Sequence, residues 1–143
     1  MRRMLLLSPL VAALAIAACH RGGTAAAPAP ALMIAGQPAP AGVTAVMVAL
    51  GDSLFNTGAC QRCHGQKGVG GNNGPSLVAG PWLHHMGKYE EIVGTITTGV
   101  PRAELKDATR RFPMNPRGGP MNLTDDQVKA IASYVWSISR NKK

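Results

Sequence analysis

Two cysteines and a histidine form the most chemically informative stretch of this sequence. Cys60 and Cys63 are separated by two residues, and His64 follows directly. On a single helical turn this spacing brings both sulfurs to one side, with the imidazole ring projecting between them. The arrangement suits covalent attachment of a haem, because each cysteine can form a thioether to a vinyl group while the histidine binds the iron. The stretch therefore predicts one covalently bound haem c.

Two other uses of paired thiols are alternatives. A structural zinc ion needs four ligands, and Cys19, the only other cysteine in the sequence, lies in a segment of different character. A redox-active dithiol of the thioredoxin kind needs a βαβ context, which the sequence pattern does not suggest. Both alternatives fit the chain less well than haem attachment.

The composition also favours a bound macrocycle. The 143 residues suffice for one domain with accessory segments, yet aromatic residues make up only 4% of them. A buried haem supplies a large, flat, apolar surface around which side chains pack. The formal net charge is +8, but no stacking motif accompanies it, so we expect no nucleic-acid partner.

Residues 1–18 have the pattern of an export signal. Two arginines precede an apolar stretch that is too short for a membrane span of about 20 residues. The stretch ends at Cys19 in a sequence that resembles the lipobox of bacterial lipoproteins, where the signal is cut before the cysteine and the thiol is acylated. An ordinary signal cut after Ala17 is the alternative. Both predict an exported protein, and the first predicts a lipid anchor on the periplasmic side of a bacterial membrane.

Two further segments follow the signal. Residues 19–43 are rich in alanine, proline and glycine and lack apolar periodicity, which predicts a solvated tether. Such a tether would hold a small domain clear of a membrane surface. Residues 44–143 contain the periodic stretches and form the predicted folded domain.

Helical periodicity dominates this domain. Thr44 is a candidate N-cap for a first helix that runs towards the cysteine motif, and residues 89–98 predict a short helix. Thr124 and Gln127 form a capping box in front of a last helix with a continuous apolar stripe. No stretch alternates as a strand does, so the pattern predicts an all-α fold.

With these elements in order, residues 44–143 resemble the class I c-type cytochromes. The stretch from Gly51 to Phe55 is similar to the family's first helix, whose glycine and aromatic residue pack against the last helix, near the positions of Tyr134 and Trp136. The resemblance implies a small all-α cytochrome c fold, in which the helices wrap around one covalently attached haem.

The resemblance also implies ligands and their support. By likeness to the family's loop below the haem, the carbonyl of Pro75 accepts a hydrogen bond from the second ring nitrogen of His64, which strengthens the histidine as a ligand. Residues 114–119 are similar to the family's Met-Pro-Pro-Lys-Gly-Gly segment, which makes Met114 the sixth iron ligand. Asn115 replaces the first proline of that segment.

Other side chains compete for roles near the haem. By analogy with the family, Trp82 is expected to donate its indole N–H to a haem propionate. His84 and His85 follow it and are alternative sixth ligands. Met121 is a less suitable ligand than Met114, because it lies only three residues before the capping residue Thr124 and has little chain with which to reach the iron.

A neutral thioether favours Fe(II) and closes the sixth position to oxygen and peroxide. The sequence therefore predicts a monohaem c-type cytochrome, not itself an enzyme, that carries single electrons between redox partners outside the cytoplasm. A haem-relay subunit of a periplasmic dehydrogenase or reductase complex is the alternative, and a haem-based sensor is a third hypothesis.

Basic residues outnumber acidic ones in the segment that leads into and through the proposed methionine ligand. The resemblance to the family implies that this loop lies near the exposed haem edge. Positive charge there steers acidic proteins, which predicts redox partners with acidic docking surfaces. A solvated basic loop without a partner is the alternative. The basic residues are Arg102, Lys106, Arg110, Arg111 and Arg117.

Overall fold

Helices make up most of the regular structure in residues 31–78 and 81–140, which are the residues that this computed structural model describes. The α-helices are α1 (Ala45–Thr57), α2 (Cys60–His64), α3 (Tyr89–Thr98) and α4 (Asp125–Arg140). Short 3₁₀ segments lie in the connections, at Gln66–Gly68, Arg102–Glu104 and Pro116–Met121. The predicted all-α fold is confirmed. Within the described residues, no helix has the length and apolar character that crossing a membrane requires.

Helix α4 begins at the predicted capping box. The backbone N–H of Thr124 donates to Oε1 of Gln127 (N···O 3.0 Å), and the N–H of Gln127 donates to Oγ1 of Thr124 (3.4 Å). These reciprocal bonds satisfy two backbone donors that the first helical turn leaves without partners. The sequence signal therefore fixes where the last helix starts.

Burial on α4 extends beyond its predicted apolar stripe. Three serines of this helix are buried, and each hydroxyl donates to a backbone carbonyl of the same helix: Ser133 to Lys129 (2.8 Å), Ser137 to Tyr134 (2.7 Å) and Ser139 to Trp136 (2.8 Å). Because these bonds satisfy the hydroxyl groups locally, the helix can be enclosed on several sides without leaving polar groups unpaired.

Helices α1 and α4 cross at Gly51. A Cβ at this position would overlap the carbonyl oxygen of Ala130 and lie 2.8 Å from the Cβ of Tyr134. One turn further on, Phe55 is only 1% exposed, and its ring is tilted against that of Tyr134 with centroids 5.4 Å apart. The absence of a side chain at Gly51 is therefore what brings the end of α1 close to α4.

The predicted tether of residues 19–43 is partly folded in the structure, in residues 31–43. They contain an antiparallel hairpin of β1 (Met33–Ile34) and β2 (Gln37–Pro38), joined by Ala35 and Gly36, both with positive φ. Two residues of positive φ make the tight turn that suits the twist of paired strands. Val43 is buried in the core and Ile34 packs against it, so this part of the segment belongs to the folded domain. The predicted signal, Cys19 and the rest of the tether lie outside the described residues.

The crossing of α1 and α4 gives a testable prediction. We expect Gly51→Ala to destabilise the protein by about 3 kcal/mol, because the new methyl group meets backbone atoms that can move only if the helices separate. Gly94→Ala is the matched control. Gly94 lies in α3 with open space around it, so the same change should stabilise the protein by about 0.5–1 kcal/mol through helix propensity. Denaturant unfolding measures both, and equal effects would contradict the close crossing.

Candidate functional site

Helix α2 presents the cysteine motif on the single helical turn that its spacing predicted. Cys60 and Cys63 are both free and half-buried, and both line a cleft together with His64. Gly65 ends the helix with φ of 75°, and a Cβ there would overlap the carbonyl oxygen of Gly70. A residue without a side chain is therefore required where the chain turns away from the motif.

The Cys60 thiol does not have the electrostatic surroundings of a reactive cysteine. Burial raises the pKa of the Cys60 thiol; a backbone hydrogen bond opposes this rise, and the neighbouring Cys63 adds to it. Redox-active cysteines need the opposite shift, because the thiolate is the nucleophile. Among residues 31–78 and 81–140, no three His, Cys, Asp or Glu side chains are grouped so that they could bind a metal ion.

The ring of His64 is held in one tautomer. Its Nδ1 lies 3.0 Å from the carbonyl oxygen of Pro75. Burial lowers the pKa of His64; the Pro75 carbonyl opposes this shift and the charge of Arg110 adds to it, so burial favours the neutral imidazole. A carbonyl can only accept, so Nδ1 carries the proton and the lone pair of Nε2 is left for a metal ion.

Two contacts support this ring. Gly74 packs against the motif so closely that a Cβ there would lie 2.8 Å from the carbonyl oxygen of Cys63 and 2.9 Å from Nδ1 of His64. The ring of Phe55 contacts the histidine with centroids 6.4 Å apart. The first helix and the loop that precedes Pro75 therefore fix the orientation of His64 together.

Met114 is positioned by a bridge that the sequence did not reveal. Its backbone pairs in antiparallel fashion with Val100, through Val100 N–H to Met114 O (2.8 Å) and Met114 N–H to Val100 O (3.0 Å). Gly99 ends α3 with φ of 71°, and a Cβ there would overlap the same methionine carbonyl. Met114 is half-buried and lines the cleft that contains Cys60 and His64.

Met121 is occupied elsewhere. Its sulfur accepts the backbone N–H of Ala59 at 3.1 Å, and its side chain packs over Gly58 at the junction of α1 and α2. Among the described residues that line the cleft, Met114 is the only methionine. The structure thus places the thioether of Met114 in the cleft with the cysteine motif, whereas that of Met121 packs at the junction of α1 and α2.

The three other candidates also line the cleft. The ring of Trp82 stacks near His85 with centroids 4.7 Å apart. Nδ1 of His85 accepts the N–H of Gly87 (2.9 Å), and burial lowers the pKa of His85 despite the nearby Glu91 carboxylate. A neutral ring that accepts at Nδ1 carries its proton on Nε2 and has no second lone pair for iron. For His84 the structure shows only that it lines the cleft.

Two of the five residues in the predicted basic cluster form ion pairs. Nε of Arg110 lies 3.0 Å from a carboxylate oxygen of Asp107, and Nη2 of Arg117 lies 2.6 Å from Oδ1 of Asp125. The guanidinium of Arg117 also holds the pKa of the Asp125 carboxyl below its usual value. The basic residues that remain exposed at this edge are Arg102, Lys106 and Arg111.

The sequence also matches a known protein family. The family model for cytochrome c matches residues 48–139, which include all four α-helices except the first three residues of α1 and the last residue of α4. The chain belongs to the cytochrome c family. It therefore has the small all-α cytochrome c fold and carries covalently bound haem c as an electron-transfer group.

Individual relatives cover this chain in part. The cbb3-type cytochrome c oxidase subunit CcoP of Rhodobacter capsulatus is 36% identical over 100 residues, which is 62% of this chain and 29% of that subunit. CcoP of Rubrivivax gelatinosus is 34% identical over 92 residues, 64% of this chain and 26% of that subunit. The chain thus spans less than a third of the length of these relatives. Cytochrome CL from Methylophaga aminisulfidivorans is 29% identical with a TM-score of 0.45, covering 63% of this chain and 53% of that chain.

The residues of the cleft fit the family's haem. Two free thiols on one helical turn, an imidazole with an available Nε2 and a thioether line the same space. The remaining lining is largely apolar and includes residues from α1, α3 and α4, among them Phe55, Ile92, Ile96, Ile131 and Val135. Apolar walls suit a large flat macrocycle, which agrees with the scarcity of aromatic side chains in the sequence.

Covalent attachment is directly testable. We expect haem-linked peroxidase staining of the wild-type protein to survive denaturing electrophoresis, and we expect Cys60→Ala combined with Cys63→Ala to abolish it, because no thioether can then form. Cys19→Ser is the matched control and should keep the stain. Haem that acid-acetone extracts from the denatured wild type would show that the thiols are not its attachment points.

Proposed function

We propose that this protein is a monohaem electron carrier in which Cys60 and Cys63 attach the haem, while His64 and Met114 are the axial ligands of its iron. The observation that carries this proposal is the shared cleft, where the cysteine motif and the bridged methionine meet. Bound haem supplies a one-electron iron couple. With an imidazole and a thioether on the iron, no position remains for a substrate, which favours outer-sphere electron transfer over catalysis.

The protein's own groups restrict both proposed ligands. The Pro75 carbonyl and the Phe55 ring restrict the histidine, and the bridge to Val100 restricts the backbone of Met114. Groups that are already in place reorganise little when the charge on the iron changes, which lowers the barrier to electron exchange. Trp82 lines the same cleft, where its indole N–H would serve as a donor to a propionate.

The surface beside the cleft suits an acidic partner. Lys106, Arg110 and Phe112 line the cleft, and Phe112 is 65% exposed. Since Asp107 already pairs with Arg110, the net attraction comes chiefly from the exposed residues Arg102, Lys106 and Arg111. An apolar ring flanked by positive charge combines close contact near the haem with long-range steering of an acidic redox protein.

A second candidate function is that of a fixed haem relay in a larger oxidoreductase complex. The two CcoP relatives are subunits of an oxidase, and two apolar residues of α1, Val46 and Leu50, are 76% and 44% exposed. These residues lie one turn apart on the helix and offer a small apolar surface that another subunit could cover. A lone holo-cytochrome in native purification supports the carrier, whereas a stoichiometric oxidoreductase partner supports the relay.

We further propose export and lipid anchoring at Cys19, with the residues before the hairpin acting as a spacer on the periplasmic side of the membrane. Cys19→Ser should move the protein from the detergent-extracted fraction to the soluble periplasmic fraction with an unchanged haem spectrum, because the acyl chains supply the membrane affinity. Mass spectrometry of the wild-type N-terminus provides the control. An unmodified N-terminus at Ala18 or beyond would contradict the anchor.

Two variants distinguish the candidates for the sixth iron ligand. Met114→Ala should remove the weak far-red Met–Fe(III) absorption band, lower the midpoint potential and open the iron to carbon monoxide, because the thioether is lost. Met121→Ala is the matched control and should leave all three nearly unchanged, since its sulfur accepts the N–H of Ala59. The reverse pattern would place the ligand at Met121, and loss of the band in neither variant would return His84 to consideration.

A further inference from the structure

The side chain of Asn73 joins two segments that are far apart in the chain. Its Oδ1 accepts the backbone N–H of Arg111 (3.2 Å) and that of Phe112 (3.0 Å). Its Nδ2 donates to the sulfur of Cys63 (3.7 Å). One amide therefore connects the segment that leads into Met114 with the turn that carries the cysteine motif.

A second connection runs parallel to the first. Nη1 of Arg110 donates to the carbonyl oxygen of Gly71 (3.1 Å). Asp107, which pairs with Arg110, is itself held by the backbone N–H and the hydroxyl of Thr109 (3.0 and 2.6 Å). The described chain between residues 107 and 112 is thus tied at two points to the loop of residues 71–73.

Within its own part of the chain, this segment is held by hydrogen bonds from the Arg102 guanidinium to the carbonyl oxygen of Arg111 and from the Arg110 N–H to the Asp107 carbonyl (3.2 Å). No α-helix or strand is present between residues 105 and 113, and Phe112, its aromatic side chain, is 65% exposed. Without regular secondary structure, hydrogen bonds are needed to fix the path of the backbone here. The Val100 bridge fixes the backbone of Met114 itself. Among the bonds that hold the residues just before it, the two accepted by Asn73 are those nearest to the methionine that join the segment to the opposite loop.

We propose that Asn73 is a positioning residue for the sixth ligand, acting through the two backbone N–H groups that its Oδ1 accepts. This inference rests on the proposed function, because it takes Met114 as the iron ligand. When the bonds to Asn73 are lost, the segment before Met114 gains freedom, and a larger fraction of molecules has the thioether detached. An external ligand binds only those molecules, so its apparent affinity reports the detached fraction.

The experiment measures imidazole binding to the ferric holoprotein, with the Met–Fe(III) band recorded in the same samples. Asn73→Ala should bind imidazole about tenfold more tightly than the wild type, because it lacks the two hydrogen bonds that favour the state with Met114 bound to the iron. Asn73→Leu, which keeps a similar volume without an acceptor, should show the same gain and serves if the alanine variant yields no holoprotein.

Two further variants make the test specific. Asn73→Asp keeps an acceptor oxygen for both N–H groups and loses only the donor to Cys63, so its imidazole affinity should stay within about twofold of the wild type. Asn72→Ala changes the exposed neighbour and should behave as the wild type does.

The outcomes separate this inference from the function on which it rests. A wild-type spectrum without the Met–Fe(III) band would overturn both. A wild type that has the band, together with an Asn73→Ala variant of unchanged imidazole affinity, would overturn the positioning role alone. An equal gain in Asn73→Asp would also overturn it, since that variant retains the acceptor.

Discussion

The site depends on how closely α1 and α4 approach each other. Gly51 lets the backbone of α1 reach the backbone of α4 at Ala130, and Phe55 then packs between Tyr134 and His64. Since α2 follows α1 after only two residues, this crossing also sets where the cysteine motif stands. The chemistry of the motif is local, but its position relative to the rest of the cleft is a consequence of helix packing.

The two sides of the cleft are built by different means. The histidine side uses a helical turn, a buried aromatic ring and a glycine that lets the loop before Pro75 come close. Met114 itself lies outside the helices, and its segment relies on the bridge to Val100 and on side-chain bonds to the loop opposite. A ligand held mainly by hydrogen bonds is easier to detach than one carried by a packed helix, so we regard the methionine side as the more adjustable part of the site.

Local signals in the sequence predicted most of the fold. The capping box, the cysteine spacing and the apolar periodicity each depend on residues within one or two helical turns. The helices of the structure lie at the positions that these signals predict. The bridge between Val100 and Met114 and the hydrogen bonds of Asn73 join residues that are distant in sequence. No local sequence pattern predicted these contacts. The hairpin at residues 33–38 was missed for a related reason, because strands of two residues are too short to show alternation.

We propose that one histidine nitrogen and one methionine sulfur bind the haem iron in both oxidation states, which leaves electron exchange as its chemistry. X-ray absorption at the iron edge of the purified holoprotein, recorded oxidised and reduced, tests this claim most directly. We expect one sulfur neighbour of the iron in both states, together with the nitrogen atoms of the macrocycle and of His64. A spectrum without sulfur, or one in which the sulfur is lost on reduction, would contradict it.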